Sequence, residues 1–459
     1  MSIPLEPNKR DRDELSEAVL AYLDDWYQRA ADMPASGEEY DPDLSERLGA
    51  YPGEEGRAVK SILDDLDLAG QSGVFHLSGG HLSYIPNGGL YSGALADLLA
   101  AGLNRYTGVA NAAPGMSAIE HGVIDWMLSL FELGDNAAGV LLSGGSTANF
   151  TGVVAARTAQ LGDNFGKGVI YVSPNTHHSV AKSARLAGII DARIREVPVD
   201  RDLKMRPDAL TDVIRHDRDS GLKPFLVVGS AGTTDTGTVD PLDSLAEIAA
   251  EEGLWLHVDA AYGGFYQMTD RGRATLAGIS RADSIALDPH KGLSIPFGVG
   301  ALLVREEAHL IDANRGRGAY LRDEDHHMGL QDISSLGPEL SRPNRGLLVW
   351  LPLQLHGLAA FREALEATLD LAAYGYERLT EINGVDALWK PDLSIVAFRF
   401  DDDDIGREAL RRINEDRKVH LSPTTVEGRF VLRFAIVNRR TSREHIDHAI
   451  DIIEKTLAG

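Results

Sequence analysis

Apolar and polar positions fall into different rhythms along the chain. Residues 14–30 place Leu15, Val19, Leu20, Leu23 and Trp26 at helical spacing, and residues 58–68 repeat the pattern. A polar stretch with Pro34, Gly37, Pro42 and Pro52 separates them. A segment this thin cannot enclose a core, so its apolar stripes must pack on the rest of the chain or on a second subunit. From Gly139 the rhythm changes. Short runs rich in Val and Ile at 139–143, 168–173, 194–199, 224–229, 254–259, 284–287 and 299–304 predict strands. Helical patterns at 148–161, 180–188, 207–218 and 242–252 lie between the first five. Continuously apolar strands with helical crossovers predict an α/β unit, a mostly parallel sheet covered on both faces. After Trp350 the pattern changes again. A helix over 351–378, strands at 394–400 and 429–437 and a helix over 442–455 predict a small α+β unit. The Asp run at 401–404 reads as a solvated turn.

Charge and composition narrow the function classes. Acidic residues outnumber basic ones, 69 to 45, for a net charge of −24. That balance argues against nucleic acid and anionic membrane surfaces, both of which call for concentrated cationic side chains. The absence of Cys excludes disulfides, thiolate metal sites and a Cys nucleophile. The first twelve residues are polar and charged, and no apolar run reaches the roughly 18–20 residues of a membrane span. The expectation is a cytoplasmic protein with no membrane partner.

Several chemistry-bearing residues fall at the carboxyl ends of predicted strands, where open α/β sheets bind ligands. Lys291, in SIALDPHKGL, could form a Schiff base, or could simply reach solvent. Asp259, in LWLHVDAAYGGF, ends an apolar strand and is either a ligand partner or a hydrogen-bonded structural carboxylate. The segment LLSGGSTANFTG reads as strand, glycine turn and helix start. Gly144, Gly145, Ser146 and Thr147 there offer N–H groups, hydroxyls and a helix dipole to a phosphate. It has neither the Walker lysine nor G-x-G-x-x-G. His177 and His178 follow another strand, where an imidazole could stack on a ring or move a proton. Metal ligation is not expected, because adjacent histidines seldom share one ion and no HExxH spacing exists. Cradle, imidazole, acid and lysine together are the parts a pyridoxal-phosphate enzyme needs.

The segments GTTDTGTVDPL, HVDAAYGGF and ADSIALDPHKGL, with Thr234, Asp259 and Lys291 separated by 25 and 32 residues, resemble the group II pyridoxal-phosphate-dependent amino acid decarboxylases of fold type I. That group includes aromatic-L-amino-acid, glutamate, histidine and diaminobutyrate decarboxylases. The resemblance covers about residues 14–455. It implies a mostly parallel seven-stranded sheet flanked by helices, divided as an N-terminal helical dimerisation segment (1–80), a large cofactor domain (81–350) and a small C-terminal domain (351–459). It implies that Lys291 holds the cofactor's aldehyde, with His290 beside it. Asp259 would pair with the pyridine nitrogen, Ala261 pack on the ring and His177 stack on its other face. Gly145, Ser146 and Thr147 would bind the phosphate, and Thr234 would face the cofactor. Tyr84, Ile85, Pro86 and Asn87 match the substrate-pocket segment, and Arg433, in FVLRFAIVN, an arginine for the substrate carboxylate. Ser341, in ELSRPNRG, aligns with a phosphate contact given by the partner subunit of a homodimer.

Two positions depart from the family pattern. Asp288 stands three residues before the lysine, where the family often has Asn, so its charge needs compensation. The Tyr that the family carries on the loop after the lysine strand is also missing, its nearest matches being Ile333 and Ser334. That leaves His326 and His327 as expected proton donors, with Tyr320 nearby and His177 or water as the alternative. The resemblance thus implies a homodimeric decarboxylase that converts an L-amino acid to amine and carbon dioxide. The alternatives are an aldehyde-forming oxidative decarboxylase, a carbon–carbon lyase on the same fold, and a non-catalytic cofactor-binding protein.

Overall fold

The computed structural model describes residues 4–30, 32–37, 42–316 and 329–459. Its centre is a seven-stranded sheet of β1 (Ala138–Leu142), β2 (Gly168–Val172), β3 (Ile194–Glu196), β4 (Lys223–Ser230), β5 (Trp255–Asp259), β6 (Ser284–Leu287) and β7 (Gly300–Val304). The strand order is β1-β7-β6-β5-β4-β2-β3. The contiguous run β6-β5-β4-β2-β3 is parallel, and β7 is antiparallel to both β6 and β1.

Apolar runs form these strands because consecutive residues enter different cores. In β4, Val227 packs with Leu256 and Ile285 on one side, while Leu226 and Val228 pack with Trp255 and Ala286 on the other. Alternating burial on both faces is what a sheet covered by helices requires. The helix Gly145–Leu161 lies on the second side, and its small residues Ala148, Gly152 and Ala156 allow a close approach to the sheet. A methyl at Gly152 would lie 2.8 Å from His257 Cε1.

A second sheet of order β10-β11-β9-β8 contains β8 (Val385–Asp386), β9 (Ile395–Phe400), β10 (Ser422–Val426) and β11 (Arg429–Ala435). Only β9 and β11 are expected from the sequence. Strands β10 and β11 are joined by Glu427 and Gly428, both with positive φ (50° and 77°), the backbone a two-residue hairpin turn demands. The Asp run at 401–404 is not merely a solvated turn. Asp402 accepts from Asp404 N and caps the helix Asp403–Asp416, while Asp403 accepts from Phe430 N and Arg429 Nε. The helical span Arg345–Thr380, broken at Gly357 (φ 70°), begins earlier than its apolar pattern, because the Asn344 side chain caps it at Leu347 N.

The N-terminal helices Lys9–Arg29 and Pro42–Gly49 bury no residue, and Val59–Gly70 buries only Asp65. Val19, Leu20, Ile62, Leu66 and Leu68 remain exposed. Among the described residues, no helix is long and apolar enough to cross a membrane.

Candidate active site

A cavity of roughly 320 Å³ opens at the carboxyl ends of β4, β5 and β6. It gathers Gly145, Ser146, Thr147, His177, Thr234, Asp259, Ala261, His290, Lys291 and Pro86, all anticipated from the sequence.

Asp259 ends β5 and is buried. Its Oδ2 accepts from Asn149 Nδ2 at 2.9 Å and its Oδ1 from the Ala261 N–H at 3.2 Å. Both donors are neutral N–H groups, one on each carboxylate oxygen.

Lys291 lies in the short helix Pro289–Gly292 that follows β6. Its Nζ is 2.7 Å from Asp288 Oδ2, so the ammonium supplies the compensation that Asp288 needs. The other Asp288 oxygen, Oδ1, is buried without a hydrogen-bond partner. His290 donates from Nδ1 to Val299 O at 2.8 Å, leaving Nε2 3.6 Å from Asp288 Oδ2. Burial lowers the His290 pKa, and Asp288 opposes that shift.

The glycine turn of residues 144–147 opens the helix Gly145–Leu161, whose N-terminal dipole and the Gly145 and Ser146 N–H groups suit an anion. Ser143 and Thr147 hydroxyls meet at 2.6 Å. A methyl at Gly145 would lie 2.8 Å from Asp288 Oδ2 and 3.0 Å from Ala261 Cβ, so a larger residue would fill the cradle.

His177 caps the helix His178–Leu186, with Nδ1 accepting from the Ser179 N–H at 3.3 Å. Nδ1 also meets Ser179 Oγ at 2.7 Å. Burial lowers its pKa, so the ring is neutral near pH 7 with its proton on Nε2. Across the cavity, the Thr233, Thr236 and Thr238 hydroxyls form a buried cluster that holds the turn bearing Thr234.

Other anticipated residues do different work. Asn87 does not line the cavity. Its Nδ2 donates to Lys291 O at 2.9 Å and Val437 O at 2.8 Å, tying the lysine turn to the C-terminal unit. Arg433 is buried, and its guanidinium donates to Thr234 O, Ser83 O and Ser422 Oγ. Its donors brace the cavity wall rather than face the cavity. Tyr84 is exposed, two residues from the lining Pro86, and Ile85 is in the core. Ser341 is exposed and outside the cavity. Tyr320, His326 and His327 lie outside the described residues. Among the described residues no cluster could hold a metal ion.

Residue reading missed Asn149, Ser179, Ser230 and Tyr262, which line the cavity, and His257 directly behind it. His257 carried a signal: it is two residues before Asp259 on one strand, hence on the same face.

A buried carboxylate, an amine, a neutral imidazole and a helix N-terminus with hydroxyls, around a floor of glycine and alanine, fit a flat cationic ring bearing a phosphate and an aldehyde. Pyridoxal 5'-phosphate has those features. Comparison with known proteins agrees. Residues 46–401 match the family described as the pyridoxal-dependent decarboxylase conserved domain. An aromatic-L-amino-acid decarboxylase from Bacillus atrophaeus is 32% identical, covering 97% of this chain and 95% of the relative. A crystal structure of Oryza sativa TDC with PLP and tryptamine superposes with a TM-score of 0.93 at 26% identity, over 100% of this chain and 99% of that one. The crystal structure of Rhodiola rosea 4-hydroxyphenylacetaldehyde synthase gives 0.90 at 25% identity, over 98% of each chain. The chain belongs to the pyridoxal-dependent decarboxylase family, enzymes that use pyridoxal phosphate to release carbon dioxide from an L-amino acid and leave the amine.

Proposed function

We propose that the substrate is an aromatic L-amino acid, decarboxylated in the cavity beside Lys291. The observation that carries this reading is an exposed aromatic residue packed beside one that lines the cavity. Phe297 is 57% exposed, and its ring centroid lies 5.8 Å from that of His290, which lines the cavity. A flat apolar side chain gains most from such surfaces. The aromatic substrates of the relatives named above support the same choice.

When bound, pyridoxal phosphate supplies an aldehyde that captures amines and a ring that accepts the electron pair left as carbon dioxide departs. Lys291 is the amine that would hold it, and the helix N-terminus at 145–147 would hold its phosphate. Asp259 would keep a proton on the ring nitrogen by offering an ionised acceptor. His177 offers an Nε2–H donor to the cavity and is the described residue best suited to deliver a proton. Arg433 and Asn87 act by bracing the turns that bear Thr234 and Lys291.

We also propose a homodimer. The N-terminal helices bury almost nothing against their own chain, and Ser341 stands exposed where a second copy could receive it. Mass measurement in solution checks this: the full chain should run as a dimer, and removal of residues 1–70 should give a monomer or aggregate.

The decisive experiment incubates the holoenzyme with each of the twenty amino acids, L-DOPA and diaminobutyrate, and follows carbon dioxide, amine, aldehyde and peroxide. Amine from Tyr, Trp or DOPA is the expected outcome. Turnover confined to Glu or diaminobutyrate would overturn the substrate class, and aldehyde with peroxide would overturn amine as product.

A further inference from the structure

Asn149 lies in the helix Gly145–Leu161 and is 1% exposed. Its Nδ2 is 2.9 Å from Asp259 Oδ2 and 2.9 Å from Ser179 Oγ. Its Oδ1 is 2.9 Å from His257 Nε2. His257 Nδ1 is 2.7 Å from Ser284 Oγ, and Trp255 Nε1 donates to that same oxygen at 2.8 Å. His257, Ser284 and Trp255 are all buried.

One end of this chain fixes every proton in it. An ionised carboxylate only accepts, so the Asn149 N–H groups must face Asp259 and its carbonyl must face His257. His257 must then carry its proton on Nε2 and accept on Nδ1. Ser284 therefore donates to His257 and accepts from the indole N–H, which can only donate. The side branch is fixed as well. Ser179 Oγ accepts from Asn149, so its own proton goes to His177 Nδ1 at 2.7 Å. That leaves the His177 proton on Nε2. A flipped Asn149 amide would turn a carbonyl lone pair onto the Asp259 carboxylate, and no donor would remain for Ser179.

We infer that Asn149 is a positioning residue whose amide, locked by His257 and Ser284, keeps an N–H donor on Asp259 Oδ2, so that the other carboxylate contacts stay free for the cofactor's ring nitrogen, and holds His177 in its Nε2–H form. The inference rests on the reading that Asp259 pairs with the cofactor's ring nitrogen. Strand register supplies the alignment, because His257 and Ser284 are direct partners across β5 and β6. Burial also keeps His257 neutral, its pKa lowered to about 4.

The test compares the affinity of the full-length apo-protein for pyridoxal phosphate and for 1-deazapyridoxal phosphate, whose ring has CH in place of the nitrogen. Asp259→Asn should abolish the preference for pyridoxal phosphate. An unchanged preference in that variant would remove the reading of Asp259 on which the inference rests. If the preference is lost there, His257→Phe and Ser284→Ala decide the rest. Each should weaken pyridoxal phosphate by roughly tenfold or more, the value of one charged hydrogen bond, while the deaza analogue changes by less than about threefold. His257→Gln can donate to Asn149 and accept from Ser284, and Ser284→Thr keeps the hydroxyl, so both should restore the preference. Equal losses for the two ligands, or no loss in Ser284→Ala, would overturn the inference. Ser284→Ala removes one atom and keeps the test open if His257→Phe does not fold.

Discussion

Asp259 and Asp288 stand at the ends of neighbouring parallel strands, both buried, and are held in opposite ways. Asp259 accepts from two neutral N–H groups, one on each oxygen. Its charge is solvated but not neutralised, and stays available to a cationic ring. Asp288 has one oxygen on the Lys291 ammonium and the other without a partner. Its charge is balanced by a group that the chemistry itself engages. One carboxylate is thus held by a permanent scaffold and its neighbour by a reactive amine. The lesson is that burial alone does not assign a role to a carboxylate; the charge state and permanence of its partners do.

The largest break in this comparison is removal of the amine. Lys291→Met keeps the length of the stem and deletes the charge. It should abolish turnover and also destabilise the apo-protein by about 3–5 kcal/mol, the cost of leaving a buried charge unpaired. Lys291→Met with Asp288→Asn should recover at least half of that stability with no recovery of activity. Denaturant unfolding of the apo-proteins measures both. Equal midpoints for the single and double variants would show that Asp288 does not depend on the amine.

The scaffold was largely legible in the sequence because strands buried on both faces read as continuous apolar runs. β6 (Ser284–Leu287) and the helix Leu242–Glu252 lie where their patterns end. β3 stops at Glu196, short of the expected 199, because Pro198 follows and Val199 bridges Met205 instead. Residues whose types announce chemistry at strand ends, such as Asp259, Lys291 and His177, come together in one cavity. Residues that set their charge and tautomer were not legible. Asn149 is 110 positions from Asp259, and only the close packing of helix on sheet brings them together. Asn87 and Arg433 show the converse: the family resemblance implied binding, but tertiary contacts with backbone carbonyls use their donors. The helix after 401–404 was hidden because its face is mostly charged and only Gly406, Ala409 and Ile413 are buried.

Acid separates the two carboxylates next. His257 serves Asp259 and stays neutral down to about pH 4, because burial lowers its pKa. Burial also lowers the pKa of His290, but Asp288 opposes that shift and favours its charging. In the unfolded chain both titrate near 6.5. Below that pH the unfolded state therefore binds more protons than the native state, and stability falls as pH falls. The contribution of His257 is fully present above about pH 6.5 and lost towards pH 4, on the order of 3 kcal/mol. Apo-protein unfolding followed from pH 7 to pH 4 should show this slope, and His257→Gln should flatten it. A slope unchanged in that variant would place the acid sensitivity elsewhere, for example at His81, whose pKa is lowered to about 3.

The smallest effects come from two added methyl groups, one against each carboxylate's surroundings. In Gly152→Ala the methyl would lie 2.8 Å from His257 Cε1 and 3.0 Å from its Nδ1. That ring is hydrogen-bonded through both nitrogens inside the sheet and cannot yield without breaking the chain to Asp259. Overpacking of this kind costs about 1–3 kcal/mol, and the helical gain of Ala over Gly returns about 0.5–1. A net loss of roughly 1–2 kcal/mol is expected, with pyridoxal phosphate weakened more than its deaza analogue. In Gly145→Ala the methyl would lie 2.8 Å from Asp288 Oδ2. The Asp288 carboxylate is held by one ion pair, to Lys291, and its Oδ1 has no hydrogen bond to lose. The apo-protein should lose about 1 kcal/mol, less than Gly152→Ala, because the tightest contact is with a carboxylate oxygen and the Ala261 Cβ, 3.0 Å away, needs to give by only a few tenths of an ångström. Both ligands should weaken equally, since the methyl intrudes on the phosphate cradle they share. A larger stability loss at Gly145 than at Gly152 would reverse the comparison, making Asp288 the rigidly held carboxylate and Asp259 the adaptable one.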